Sequence, residues 1–344
     1  MFGKMMNNYY YGKSGKGDFR KEDLPQNRRQ LFGATLRTRL SALCRLNLLY
    51  MLIFLPTMIV MLYFYSSMLQ SADLFTTLQN DYSSYVEQVT ESEGEVRITE
   101  EQFNELKESG IRYDDLMDNA VFRMLIWLIP CLSITGPFTA GLCYVTRNWA
   151  RDEHAFIWSD FKDAVKENWK QSLILSVITS VLPLAAYVGW RFYGQMTERN
   201  TLMIIPQVLV VMIGLIWSIS ITYMHPLAVT YKLKTKDIIR NGLLLGIARL
   251  PMSVGIRLLL CVPALIGAAL IWFWNPMIGA LLLFAYYALI GFSLSRFVTA
   301  SYTNAVFDRF INPRIEGAKV DQGLYKPEDD EEEGDEAAEG ETDN

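Results

Sequence analysis

Long apolar runs alternate with segments dense in charge along this chain. The runs cover approximately Leu46–Leu69, Ala120–Val145, Ser172–Tyr193, Leu202–Tyr223, Met252–Phe273 and Met277–Phe297. Each is long enough to cross about 30 Å of hydrocarbon at about 1.5 Å per residue. They are continuously apolar and lack the two-residue alternation of a membrane barrel strand. Inside hydrocarbon every backbone N–H and C=O needs a protein partner, which dictates helices. The pattern predicts an all-α, polytopic membrane bundle of about six transmembrane helices.

Lysine and arginine placement orients that bundle. A basic N-terminal segment, residues 1–45, holds Lys4, Lys13, Lys16, Arg20, Lys21, Arg28, Arg29, Arg37, Arg39 and Arg45. The second-to-third connection adds Arg147, Arg151, Lys162, Lys166 and Lys170, and the fourth-to-fifth adds Lys232, Lys234, Lys236, Arg240 and Arg249. The opposite side carries only Arg97, Lys107 and Arg112 in one long loop and Arg191 and Arg199 beside a short one, while the turn Asn275-Pro276 has none. All basic-rich segments then share one side, which gives an N-in/C-in topology. The charged start offers no apolar stretch before a cleavage site, so the first span is expected to act as its own insertion signal. Residues 46–310 form the membrane domain.

Two acidic segments flank that domain. The outer loop, residues 70–119, reads as a small helical insertion: Thr99 and Gln102 form a capping box, Gly110 a helix stop, and Phe103 and Leu106 one apolar side. Residues 311–344 are expected to form an acidic, disordered cytoplasmic tail; from Glu328 to Asn344 it is nearly all Glu, Asp, Gly and Ala. Opposite charge would let the two chain ends associate transiently.

The inner connections carry the most pattern. On a helical wheel Ile157, Trp158, Phe161, Ala164, Val165 and Trp169 share an arc, edged by Lys162, Lys166 and Lys170. That is the make-up of an interfacial helix over 155–171, with indoles at headgroup depth and ammonium groups reaching lipid phosphate. Arg147 and Arg151 join it in a candidate surface for anionic lipid or a cytoplasmic partner. A second amphipathic segment, with Thr235 as its cap candidate where the first has Ser159, holds Ile238, Ile239, Leu243 and Leu244 opposite Lys236 and Arg240. Pro137 and Pro226 precede the two connections at corresponding places, which points to a parallel structural repeat.

The run Gly136-Pro137-Phe138-Thr139-Ala140-Gly141-Leu142, followed by Arg147-Asn148-Trp149-Ala150-Arg151, Phe156-Ile157-Trp158, Asp160-Phe161 and Asn168-Trp169-Lys170-Gln171, resembles the YesL family of bacterial membrane proteins. Asn47-Leu48-Leu49 in the first span also fits. The resemblance implies a multi-pass protein of the bacterial cell membrane, in a setting of carbohydrate uptake, with no settled biochemical activity. The long outer loop and acidic tail depart from the compact family form.

Enzyme chemistry finds little purchase. Asp152-Glu153-His154 is the compact acid–imidazole cluster, but three adjacent residues cannot all face one ion on a regular helix. The sequence carries no phosphate-loop, zinc-protease, nucleophile-elbow or dinucleotide signature, and its cysteines (Cys44, Cys131, Cys143, Cys261) make no CxxC pair. No cofactor and no nucleic-acid partner are expected. For transport, the relevant feature is Arg257 within the fifth span, expected to reach back toward the inner surface. Gly136, Ala140, Gly214, Gly267 and Gly279 are expected to permit close helix packing. The expectation is a non-enzymatic accessory protein, with a small-solute transporter or channel, its pathway near Gly136, Pro137, Pro226 and Arg257, as the alternative.

Overall fold

The computed structural model describes residues 24–78, 81–91, 96, 98–109 and 113–325. The basic start before Leu24, Arg97, Gly110, Arg112 and the acidic run after Tyr325 lie outside the described residues. All regular elements among those described are helical. Helix α1 spans Arg28–Leu78; short helices α2 (Tyr82–Glu91) and α3 (Glu100–Glu108) follow; then α4 (Tyr113–Trp149), α5 (Ser159–Thr197), α6 (Ile204–Thr230), α7 (Thr235–Ala248) and α8 (Leu250–Phe273). The final helix runs as α9 (Pro276–Tyr286), a π turn (Tyr287–Gly291) and α10 (Phe292–Phe310). Six helices are long and apolar enough to cross a membrane. This is a multi-pass membrane protein.

Several helices are far longer than a bilayer requires. The 51 residues of α1 reach about 77 Å, and α4 and α5 also overrun the core. The excess at the inner end builds a second layer where side chains interlock. There Leu43, Leu46 and Tyr50 of α1 meet Leu142, Val145 and Trp149 of α4, Phe161 of α5, and Phe297 and Ala300 of α10. A neighbouring cluster joins Leu175 of α5, Tyr223, Met224 and Leu227 of α6, Ile238 of α7, and Val306 and Phe307 of α10. Toward the outer end the helices present apolar side chains outward instead, as at Leu52, Ile59, Leu62 and Trp127. The turn between α8 and α9 leaves Trp272 and Phe273 over 80% exposed, which suits rings seated at the headgroup layer.

The π turn is held by one buried amide. Asn47 Nδ2 donates to the carbonyls of Tyr287 and Ala288, each at 2.8 Å, and its Oδ1 accepts from Ser293 N–H at 3.0 Å. A π turn breaks the i→i−4 ladder and frees backbone groups that lipid cannot satisfy. Asn47, fully buried, replaces the missing bonds and ties α1 to the last helix. Close by, Tyr50 and Thr139 share a 2.8 Å hydroxyl bond between α1 and α4.

Small residues set the remaining contacts. A Cβ built on Gly136 would lie 2.4 Å from Ser176 Oγ and 2.5 Å from the Ser172 carbonyl, so α4 and α5 touch backbone to backbone there. Gly242 and Gly246 of α7 admit Met224 and Ser220 of α6, Gly267 admits Leu283, and Gly279 sits against the Ile271 backbone. Gly214 departs from expectation: its surroundings are open, because its face of α6 is turned to the lipid.

Other expectations are corrected. The 155–171 segment is no separate interfacial helix. From Ser159 it runs unbroken into the third span as α5, because nothing between Phe161 and Ser172 breaks the helix. Only α7 is a separate short helix, and it turns directly into α8 at Arg249, so the two supposed repeats differ in this respect. Neither Ser159 nor Thr235 caps its helix. Trp158 and Lys234 occupy the cap positions without side-chain bonds, while Asp160 Oδ2 reaches back to the Phe156 N–H at 2.8 Å. On the outer side, the Thr99–Gln102 capping box forms as expected, and Phe103 is buried against Tyr82 and Tyr85.

Two substitutions test this packing. Asn47→Leu keeps the branched outline but strands three backbone groups, and should cost about 2 kcal/mol, read as a lower thermal midpoint in detergent. Gly136→Ala should lower the midpoint by forcing α4 from α5, whereas Gly214→Ala should leave it unchanged or raise it slightly.

Candidate functional site

The inner face is organised around the end of α4. The chain leaves this helix through a Schellman turn: Glu153 N–H bonds the Asn148 carbonyl at 2.8 Å, and Asp152 N–H bonds the Trp149 carbonyl at 3.1 Å. Asp152 takes the left-handed position, with φ of 58°, a place usually given to glycine. Trp149 Nε1 then donates to the Ala155 carbonyl at 3.3 Å and pins the loop beneath the helix end.

This turn places Arg147 and Arg151 side by side. Glu153 sits between them, 3.2 Å from Arg151 and 4.0 Å from Arg147. Arg151 also donates to Gln322 at 2.7 Å, and the Arg147 carbonyl accepts from Asn304 Nδ2 at 3.3 Å. The two guanidinium groups are thus partly buried and committed to structural partners, in contrast to the open surface expected from sequence. With Tyr231, Asn312, Lys319 and Gln322 they line a cavity of about 360 Å³. Tyr231 donates to Asn312 Oδ1 at 2.6 Å. Burial pushes its phenol up to about 12, with Arg147 opposing and Asp308 adding to the rise.

Both described chain ends converge here. Arg28 pairs with Asp308 and Asp321, and Tyr325 N–H bonds the Pro25 carbonyl at 3.0 Å. Gly323 lies so close to the Arg151 carbonyl that a Cβ would approach within 2.8 Å. The segment after α10 is therefore folded back over the end of α4. Its part in the site had no signature in the sequence, since Asp321 and Gln322 stand in a run without apolar periodicity.

The remaining candidates separate into two groups. Trp158 and Trp169 are exposed, as are Lys162, Lys166 and Lys170, which leaves a tryptophan–lysine strip on the outside of α5; Lys170 stands 5.5 Å from the centre of the Trp169 ring. Phe161 does not belong to this strip. It is 4% exposed and fills the gap left by Gly141 on α4, because the arc of apolar residues is wide enough for its two edges to face different surroundings. Asp152, Glu153 and His154 diverge: Glu153 pairs with the arginines, His154 packs edge-on against Phe156, and Asp152 is exposed.

Within the bundle, Pro137 and Pro226 both continue their helices, Pro226 fully buried. Arg257 is half-buried. Its Nε is buried without a hydrogen-bond partner, and the neighbouring charged group is Arg296. His225, 4% exposed, faces both arginines, and Cys143 adjoins Arg296. Arg296 escaped sequence reasoning because it stands alone in its span.

The fold and this inner site define a helical multi-pass membrane protein. Over its central part, residues 118–190 match the family model described as "Protein of unknown function, DUF624". The match encloses most of α4, the Schellman turn and most of α5. The chain is also 30% identical over 127 residues to "Uncharacterized protein YesV" of Bacillus subtilis (strain 168), covering 37% of this chain and 60% of that relative. No solved structure matches it.

Two changes test the turn. Asp152→Gly should stabilise the protein by about 0.5–1 kcal/mol by relieving the left-handed residue. Glu153→Gln, which leaves Arg147 and Arg151 facing each other without a carboxylate, should destabilise it by at least as much, both read from thermal midpoints in the same detergent.

Proposed function

We propose that this protein is a non-enzymatic accessory component of the bacterial cell membrane, acting through its inner face alongside a carbohydrate-uptake system. The observation that carries the reading is the strip formed by Trp158, Lys162, Lys166, Trp169 and Lys170. It is exposed, basic and aromatic, and it stands on a helix continuous with a membrane span. A rigid, membrane-anchored surface of this kind suits docking to a partner's cytoplasmic loops or to anionic headgroups. The side-chain-filled inner core around Leu43, Leu46, Leu142 and Phe297, all essentially without exposure, favours a sealed bundle over a conduit. The uptake setting derives from the family resemblance.

Affinity capture of the full chain from membranes in mild detergent should recover a sugar-transporter component. The triple variant Lys162→Glu, Lys166→Glu, Lys170→Glu should reduce that recovery at least fivefold while still inserting. Equal recovery by the triple variant would rule the strip out as the docking surface.

A second reading is favoured by one observation, the grouping of buried His225 with half-buried Arg257 and Arg296. Ionisable residues in spans often mark a solute path, and this one would suit an anion. Purified protein in liposomes decides it: anion flux lost in Arg257→Ala supports a transporter, and absence of flux in the wild-type chain removes it.

A further inference from the structure

A second inner cavity lies beside the small basic one and has a different character. It occupies about 780 Å³ between the end of α6, the face of α7 and the end of α10. Its walls are apolar, from Leu227, Leu245 and Phe310 among others, and its rim carries Lys232, Arg249 and Arg314. Its lining contains no carboxylate. Among the described residues none of these three cations forms an ion pair, and the acids nearest in sequence, Asp237 and Glu316, neither line the cavity nor pair with them.

Two polar atoms at this cavity are buried without a hydrogen-bond partner, Arg249 Nε and Thr230 Oγ1. The Arg249 guanidinium lies 5.5 Å from the centre of the Phe310 ring, which Arg309 approaches from 5.6 Å. An aromatic ring thus holds cationic groups in place without neutralising them. A concentration of unpaired positive charge is costly unless an anion completes it.

The position selects the kind of anion. Arg249 stands at the junction of α7 and α8, where the chain turns into a span. Leu244 and Ile247 on α7 and Leu250 and Met252 on α8 are exposed on either side of it. The cavity therefore opens along apolar surface at the depth where headgroup meets acyl chain. A soluble phosphate would use the rim and leave the walls unfilled, whereas a phospholipid uses both.

We propose that this cavity is a binding site for an acidic phospholipid of the inner leaflet. Lys232, Arg249 and Arg314 receive the phosphate and the anionic headgroup, Thr230 donates a hydrogen bond, and the first methylenes lie against Leu245 and Phe310. Basic pockets between helices at the inner face have the chemistry for such headgroups. The site is separate from the tryptophan–lysine strip of α5 and stands whether or not that strip docks a protein.

Full-length protein in nanodiscs of phosphatidylcholine, with and without phosphatidylglycerol, provides the test, read by thermal midpoint and by lipid retained in native mass spectrometry. Phosphatidylglycerol should raise the midpoint and remain bound after delipidation. The pair Arg249→Gln, Arg314→Gln should lower retention at least tenfold, as two lost cations imply, while Lys162→Gln, Lys166→Gln, Lys170→Gln should retain it. Ala248→Trp, which fills the cavity from an exposed wall position and keeps every cation, should also displace the lipid and guards against loss through misfolding. Retention unchanged in both the arginine pair and Ala248→Trp would overturn the proposal. So would an equal midpoint rise from inorganic phosphate alone, which would mark a site for a free anion.

Discussion

A backbone group released inside a membrane must be recaptured by protein, and in this chain that requirement falls on Asn47. The π turn at Tyr287–Gly291 inserts an extra residue and so advances the following side chains by about 100°. Phe297 thereby faces the core shared by α1 and α4, while Phe307 reaches the one shared by α5, α6 and α7. The turn is tolerable only because one amide returns three backbone bonds. The register of α10, and with it the inner layer, depends on this contact.

That layer divides the molecule into two mechanical regimes. Near the outer end, apolar side chains meet lipid, and association gains little from burying them, since hydrocarbon is as apolar as leucine. At the inner end, helices that outrun the bilayer bury Trp149, Phe161 and Phe307 away from water and recover the hydrophobic effect of a soluble core. The Arg28 pairs and the Tyr325–Pro25 bond then lock both described ends onto it. Surfaces built on this layer are rigid, which is where recognition by shape is expected.

How legible this was in the sequence follows from which signals are local. Apolar length and lysine–arginine asymmetry are properties of single segments, so the six spans and the shared side of the ends could be read directly. The Thr99–Gln102 box was legible for the same reason. Helical phase alone misassigned Phe161, because an amphipathic arc shows that a face is apolar but not whether lipid or a neighbouring helix covers it. Glycine spacing likewise identified Gly136 but misread Gly214, whose face meets no other helix. The Arg147–Glu153–Arg151 group and its closure by Gln322 were out of reach, since they require the segment after α10 to fold back across more than a hundred residues of sequence. Asn47 was visible only as part of a resemblance; its partner is a backbone irregularity that no side-chain pattern announces.

The unpaired cations Arg249 and Arg257 gather toward the inner end of the bundle. Arg257 lies within about two helical turns of the inner end of its span, and Arg249 stands at such an end. Charges at this depth are favoured by the negative potential of an anionic inner leaflet. Placing them there without carboxylates makes the bundle's stability depend on its lipid, since the anion that completes the cations comes from outside the chain. A protein so arranged is coupled to the composition of the leaflet it occupies. That coupling acts on the same rigid layer that carries the α5 strip.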